Sequence, residues 1–315
     1  MNKSELINAL GRPDFSEFYK EADRIKKENF SDNINIRAIL EFSNYCVREC
    51  KYCGINACNS KIERFRMEPT EMIKTAKKAY ECGYKTIVMQ SGEDGFYNTE
   101  ILSQIVKEIK KCGIIITLSC GERDDYDILK KSGADRYLLK HETSDKKIYE
   151  SLHPNSSYDN RINCLKMLKK LGFETGSGFM IGLPNQTIET IADDILLLKE
   201  INCDMAGIGP FIPHPDTKMA NIIEGDTELT KRAVALSRIV MPKIHLPATT
   251  SLGVIDEKAK NDIFSCGANV IMKKITPTKY KYFYEIYPSK MSDTDILKDR
   301  LLVEKQIKEL GCVPV

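Results

Sequence analysis

The chain is short of several things, and each shortage excludes something. Its 47 basic and 45 acidic side chains nearly cancel, leaving a formal net charge of +2 over 315 residues, and no block of consecutive lysines and arginines occurs. With no field to gather a polyanion, nucleic acid is not an expected partner. No run of about 18 apolar residues is present, so no membrane span is expected. Met1-Asn2-Lys3-Ser4-Glu5-Leu6 lacks the apolar heart of an export signal, and the expected location is the cytoplasm. Low-complexity linkers and internal repeats are missing too, while a charged fraction of 29% beside 42% hydrophobic residues describes a globular chain rather than a disordered one.

Cysteine is plentiful. Eleven occur, and without an export signal they are expected as free thiols in a reducing compartment, not as a disulfide framework. Cys58, Cys82, Cys112, Cys120, Cys164, Cys203, Cys266 and Cys312 are scattered, several in apolar periodic segments where a small buried hydrophobe is the ordinary role. The other three stand together as Cys46-Val47-Arg48-Glu49-Cys50-Lys51-Tyr52-Cys53. What this loop lacks is a fourth ligand at a matching spacing. A structural zinc site needs four protein ligands, and a cubane iron-sulfur cluster used only for electron transfer normally takes four cysteines. Three thiolates leave one iron open to a small molecule that offers nitrogen and oxygen donors. The plain alternative is a structural zinc loop, or reduced cysteines of no special use. Cys58 is close enough in sequence to approach a cluster held there.

Short apolar runs alternate with amphipathic stretches along the rest of the chain. The pattern predicts strands over 34–42, 85–90, 114–119, 135–140, 174–181, 205–209, 246–250 and 269–272. Helices are expected over 69–82, 99–111, 124–131, 145–152, 158–171, 187–201 and 230–240. Parallel strands joined by helical crossovers give an α/β fold, here a complete (β/α)8 barrel of the TIM type, with an open doubly wound sheet as the rival. Closure is favoured because the polar and glycine-rich signals fall just after the strands, where such a barrel keeps its active face. A single domain is expected: residues 1–33 as an amino-terminal helical cap including a helix over 16–27, 34–290 as the barrel, and 291–315 as a carboxyl-terminal helical extension with a helix over 296–310.

Four constellations follow strands. Gln90-Ser91-Gly92-Glu93 succeeds the second, where a glycine-glutamate turn exposes backbone groups to a ligand. Glu142, after the fourth, and Arg161 offer a carboxylate for an ammonium and a guanidinium for a carboxylate, the two needs of a zwitterionic amino acid; a surface salt bridge is the alternative. Gly176, Gly178 and Gly182 in and just after the fifth strand, and Gly207-Ile208-Gly209 in the sixth, suit close approach of backbone to a flat ligand, or plain bends. His214 between Pro213 and Pro215 reads as a rigid turn at least as readily as a metal ligand, and His141 as a hydrogen-bonding group behind the site or a core residue.

The C-x3-C-x2-C loop, with aromatic Tyr52 before its last cysteine, resembles the radical S-adenosylmethionine (SAM) superfamily. Ile87 to Asp94, Gly133 to Thr143, Gly207 to Thr217, Pro247 to Thr250 and Cys266 to Met272 together resemble one subfamily, the FeFe-hydrogenase maturase HydE, over roughly residues 36–288. The resemblance implies two cofactors: one 4Fe-4S cluster held by Cys46, Cys50 and Cys53, and S-adenosyl-L-methionine chelated to its open iron and reductively cleaved to a 5'-deoxyadenosyl radical. It implies SAM contacts from Tyr52, Gln90, Ser91, Gly92, Glu93, Glu142, Arg161, Met180 and Ile208. Thr117, Ser119, Arg136, Thr249, Thr250, Tyr284 and Tyr287 are implied to line the substrate cavity and its anion sites.

The implied substrate is a small organometallic species, a cysteine-bound iron carbonyl cyanide complex attacked at sulfur. The implied partners are a second radical SAM maturase, a GTPase scaffold maturase and a reduced electron donor. Some members carry a second cluster on three cysteines near the carboxyl terminus; here only Cys312 lies beyond Cys266, so that cluster is expected to be absent. Lys140 stands where an arginine is common, and the Lys273-Lys274 pair is atypical. The alternatives are a methylornithine-synthase-like mutase, a biotin-synthase-like sulfur inserter, for which no second ligand set is found, and a zinc or iron-sulfur binding module that is no enzyme.

Overall fold

The computed structural model describes residues 1–289 and 292–315. Its strands are β1 (Asn33–Ser43), β2 (Thr86–Ser91), β3 (Ile115–Ser119), β4 (Arg136–Leu138), β5 (Glu174–Ser177), β6 (Met180–Ile181), β7 (Met205–Ala206), β8 (Gly209–Pro210), β9 (Pro247–Ala248), β10 (Val270–Lys274) and β11 (Val313–Pro314). Eight of them form a parallel sheet in the order β7-β5-β4-β3-β2-β1-β10-β9. The two ends meet through a parallel bridge between Met205 and His245, with Ala206 N donating to His245 O at 3.0 Å and His245 N to Asp204 O at 2.9 Å. The sheet is thereby a closed barrel, and the open doubly wound alternative is excluded.

Strand alternation sorts the side chains. Along β1, Ile36, Ala38, Leu40 and Phe42 enter the core between strands and outer helices, while Arg37, Ile39, Glu41 and Ser43 between them face the lumen. The outer layer follows from local rules. Pro69 opens the helix Pro69–Glu81 at a position where a missing N–H costs nothing. Asn98 Oδ1 caps Thr99–Lys110 by accepting from Ile101 N at 3.0 Å. The helix expected from residue 230 starts instead at Thr227, because Asp226 Oδ1 accepts from Leu229 N at 2.8 Å and supplies the cap.

The fourth strand shortens to Arg136–Leu138, the last runs on to Lys274, and three others break or stop early. The fifth run breaks after Ser177, since Gly178 turns away at φ 150° and a Cβ there would stand 2.2 Å from Gly207 O. The sixth run divides in the same way, so that β6 and β8 pair as a two-stranded extension beyond the ends of β5 and β7. The seventh is cut to Pro247–Ala248, because Thr250 already begins a helix, Thr250–Ile255.

Helices Lys3–Leu10 and Ser16–Phe30 precede the barrel, and the last turn of the second sets Phe30 on His245, ring centroids 5.2 Å apart. Beyond the barrel, helix Ile296–Glu309 leads to β11, which pairs with Asn33 and Ile34 at the amino end of β1. That strand was not expected; two residues carry no periodicity to read. The expected boundary at 290/291 lies outside the described residues. Among the described residues no helix is long and apolar enough to cross a membrane.

Arg238 ties this end of the barrel together without a carboxylate partner. Fully buried, it donates to Gly267 O at 3.0 Å, Pro242 O at 2.8 Å and Asn269 Oδ1 at 3.1 Å. Arg238→Met would strand the buried Gly267 carbonyl and take a donor from Pro242 O and from Asn269 Oδ1, which keeps Leu246 N, at a cost of about 3 kcal/mol. Urea unfolding should show a lowered midpoint at unchanged slope; an unmoved midpoint would refute this role.

Candidate active site

The end of β1 delivers the cysteine loop to the lip of the barrel, and the loop is held by its backbone. Gly54 N donates to Ile286 O at 2.9 Å, Lys51 N to Leu152 O at 3.0 Å and Ala57 N to Arg48 O at 2.8 Å. Arg64, which no sequence signal singled out, donates to the carbonyls of Asn44, Ile55, Asn56 and Asn59 at 2.5, 2.8, 2.6 and 3.1 Å. The three sulfurs are mutual neighbours. Burial, then the charge of Cys46, pushes the Cys50 thiol up to about 12. Burial, then Cys50, also raises Cys53, and burial raises Cys46, whose sulfur accepts from Arg48 N and Glu93 N, both at 3.4 Å.

Protonated thiols so placed must lose protons to bind metal. Yet among the described residues no three Cys, His, Asp or Glu side chains converge on one ion. A tetrahedral zinc would need its sulfurs within about 4 Å of one another. In a cubane each cysteine binds its own iron and the sulfurs stand further apart, so three soft donors in one pocket fit a cluster better than a single ion.

The loop after β2 packs directly on this triplet. Gly92 N donates to Ser43 O at 3.1 Å, and a Cβ on Gly92 would lie 2.3 Å from Tyr45 O and 2.7 Å from Cys46 Cβ. Serine is tolerated just before it, its Oγ donating to Gly92 O at 2.7 Å. Glu93 points elsewhere: its carboxylate accepts from Arg48 Nε at 2.5 Å and Glu122 N at 3.0 Å. That side chain is a strut between two loops. Gln90 donates to Tyr284 Oη at 3.2 Å.

Glu142 and Arg161 approach one site but are not paired; Arg161 is buried and Glu142 half-buried, neither on the open surface. Arg161 gives Nε to Glu122 Oε1 at 2.7 Å and Nη1 to Lys140 O at 2.5 Å. Glu122, absent from the expected set, also accepts from Arg48 Nη2 at 3.0 Å and Asn160 Nδ2 at 2.6 Å. Its place in a glycine-glutamate turn after β3 was the signal that could have found it. Glu142 sits at φ 64°, a strained conformation for a side-chain-bearing residue, spliced between Gly178 O and Met180 N at 2.9 and 3.1 Å. Its Oε2 lies 3.1 Å from Lys140 Nζ but off the direction of a hydrogen bond, and is left without a hydrogen-bond partner among the described residues. Burial raises its pKa, but Lys140, then His153 and Arg161, outweigh that and hold it below the ordinary carboxylate range. The result is a charged carboxylate with an open acceptor beside a guanidinium, which suits a zwitterion.

Tyr52 is fixed by His153, another residue the sequence did not reveal: Tyr52 Oη and His153 Nε2 are 2.9 Å apart, and His153 Nδ1 donates to Tyr149 O at 2.7 Å. Met180 packs with Tyr52 against Phe211 and Leu183. Ile208 is fully buried in the main core, so only its backbone remains for a ligand.

The expected cavity residues spread along the lumen. Thr117 is buried with an unpartnered hydroxyl, and Ser119 ends the same strand one lumen position higher. Arg136 lies low, at the start of β4, where it pairs with Glu174 at 2.5 Å. Thr249 accepts from Ser251 Oγ at 3.3 Å, the Thr250 side chain contacts the Tyr287 phenol, and Tyr284 is 2% exposed.

The remaining histidines and cysteines fall outside this set. His141 is a core residue, 2.9 Å from Ser177 Oγ and 3.4 Å from Asp194. His214 accepts from Asp216 N at 3.1 Å and meets Glu285 at 3.3 Å, a turn clamp and no metal ligand among the described residues. Cys58 is exposed, and Cys312 adjoins β11 at the opposite end of the barrel.

Residues 40–198 match the model of the radical SAM superfamily. The chain is 50% identical over 302 residues to the FeFe hydrogenase maturase subunit HydE of Thermotoga maritima, covering 94% of this chain and 86% of that one. It is 26% identical to 3-methylornithine synthase of Methanosarcina acetivorans, over 98% of this chain and 88% of the relative. Among solved structures, methylornithine synthase (PylB) superposes with a TM-score of 0.88 at 23% identity, covering 100% of this chain and 94% of that one, a likeness of fold.

The neutral histidine behind Tyr52 sets a pH dependence. Burial lowers the His153 pKa from 6.5 to about 4, so protons favour the unfolded chain. The stability at stake is complete above pH 6.5 and is lost as pH falls toward 4. At pH 5 it amounts to about 2 kcal/mol. Urea unfolding at pH 7 and pH 5 should show a loss smaller by about that amount in His153→Gln; equal losses would contradict the assignment.

Proposed function

The chain belongs to the radical SAM superfamily and, within it, to the HydE family of FeFe-hydrogenase maturases, and on that premise we propose how its residues share the work. It is a radical SAM enzyme of FeFe-hydrogenase maturation. Cys46, Cys50 and Cys53 hold a single 4Fe-4S cluster, and the open acceptor of Glu142 beside Arg161 takes the amino and carboxylate ends of SAM. That strained, charged carboxylate at the lip of the barrel, near Lys140 but with no hydrogen-bond partner for Oε2 among the described residues, is the observation that carries the reading. When bound, the cluster and SAM supply one-electron reductive cleavage to a 5'-deoxyadenosyl radical.

The protein binds, orients and excludes water. Glu122 aims Arg161 and, through Arg48, braces the cysteine loop. Gly92 brings the second loop against Cys46. Tyr52, Gln90, Ser91 and Met180 complete the wall around SAM, and Glu93 serves as a strut within it. Below, Thr117, Ser119, Arg136, Thr249, Thr250, Tyr284 and Tyr287 offer hydroxyls and one guanidinium to an anionic guest, in keeping with a cysteine-bound iron carbonyl cyanide complex. The helices before β1 cover the amino ends of the strands, and the segment bearing Tyr284 and Tyr287 covers part of the carboxyl ends, which keeps bulk water from the lumen. Partners in this role are a second radical SAM maturase, a GTPase scaffold maturase and a reduced electron donor, with cytoplasm as the setting.

Anaerobic reconstitution followed by reduction should give about four irons per chain and SAM-dependent release of 5'-deoxyadenosine. Cys50→Ala should abolish both, and a colourless protein with stoichiometric zinc would sink the reading. Arg161→Lys should weaken SAM binding about tenfold, since a lone ammonium cannot replace a bidentate fork. For the pathway, co-expression with the other maturases and an apo-hydrogenase should restore hydrogen evolution; conversion of lysine to methylornithine by the purified enzyme would overturn the subfamily role.

A further inference from the structure

A charged cluster on the inner wall is left without a task by these roles. Glu41 lies between Leu40 and Phe42, both in the core outside the barrel, and so faces the lumen. On β10, Ile271 enters that outer core and Lys273 reaches outward to Asp299 at 3.0 Å, which leaves Lys274 on the lumen side. Lys274 Nζ meets Glu41 Oε1 at 2.8 Å. Thr276 completes the carboxylate from behind: its hydroxyl donates to Glu41 Oε2 at 3.2 Å while accepting from Glu41 N at 2.9 Å.

Three features are unexplained by a closed ion pair. The carboxylate is sealed and the ammonium is not, their side chains being 3% and 22% exposed. Among the described residues Glu41 is the one partner of Lys274, so two of its three N–H donors are unspent. Tyr284 stands on the other side of Glu41, spends its oxygen on Gln90 Nε2 at 3.2 Å, and keeps its own O–H without an acceptor among the described residues. Burial, with Glu41 next, holds both the Tyr284 and Tyr287 phenols in their protonated, donating form.

The charge count points the same way. Lys273 and Asp299 cancel on the outer side of β10, while buried Lys281, which acts on Glu41 and Asp299, adds one positive charge to the Lys274–Glu41 pair. A buried ion pair gains little over apolar residues of the same size, so stability alone gives no reason to line a lumen with one. Donors that converge without an acceptor, beside surplus positive charge, describe the seat of an anion.

We propose that Lys274, braced by Glu41 and assisted by Tyr284, is an anion anchor on the barrel wall that grips one negative end of the substrate and so helps set specificity. The inference rests on the proposed function. The group gripped is a terminal acceptor atom on a small monoanionic group, either a carboxylate oxygen or the nitrogen of a metal-bound cyanide.

Azide and acetate are the probes, titrated by calorimetry into the cluster-reconstituted, SAM-saturated full chain, so that the open iron is occupied. Stronger azide binding would identify the cyanide-like source and stronger acetate binding the carboxylate. For whichever binds, Lys274→Met should weaken affinity about tenfold or more, Lys274→Arg should retain it within a few-fold, and Glu41→Gln should tighten it by freeing the cation. Failure of both anions to bind wild-type protein, or affinities unmoved by Lys274→Met and Glu41→Gln, overturns the anchor. The SAM-induced change in the cluster's electron paramagnetic resonance signal is recorded alongside. If it is present, such a failure sinks the anchor alone; if it is missing from the wild type, the proposed function falls and the anchor with it.

Discussion

Eight parallel strands bring eight carboxyl ends to one lip, and everything chemical in this protein depends on that constraint. Each strand must be followed by a crossover, so each loop that leaves the barrel at this end starts from a fixed point on a ring. The cysteines after β1, Gly92 after β2, Glu122 after β3 and Glu142 after β4 become neighbours for that reason. The seam that completes the ring, Met205 against His245, is slight beside the long β1–β2 and β1–β10 ladders. Near that seam, Arg238 binds Gly267 O ahead of β10 and Phe30 packs on His245.

At the lip, charge is distributed unevenly and the unevenness is informative. Glu93 and Glu122 are saturated with guanidinium and amide donors, so their task is structural. Glu142 keeps an oxygen open, at a backbone conformation that costs energy to hold. A carboxylate that is buried, charged and short of a donor is where a cationic group of a ligand belongs. The same logic, with signs reversed, applies lower down to Lys274 and Tyr284.

Much of this was legible in the chain. The strand and helix pattern, the triplet Cys46, Cys50 and Cys53, the glycines around the end of β5 and the post-strand position of Glu142 are local properties, written in periodicity, spacing and side-chain type. What was not legible has one cause. Arg48 meets Glu122 across 74 residues and Tyr52 meets His153 across 101, and no local pattern reports a contact at such separation. The split of the fifth and sixth runs depends likewise on Gly178 passing Gly207, and the terminal strand on Val313 reaching Asn33.

The sequence by itself determined the barrel class, the three-thiol loop with its missing fourth ligand, and the subfamily, because each is carried by residues close together in the chain. Tertiary structure alone decided which carboxylates are saturated with hydrogen bonds and which keeps an oxygen without one. Glu93, Glu122 and Glu142 are the same kind of residue in similar post-strand turns. Glu93 and Glu122 are met by guanidinium groups from distant loops when the ring closes, whereas Glu142 is met only by the ammonium of nearby Lys140, and burial makes that difference count.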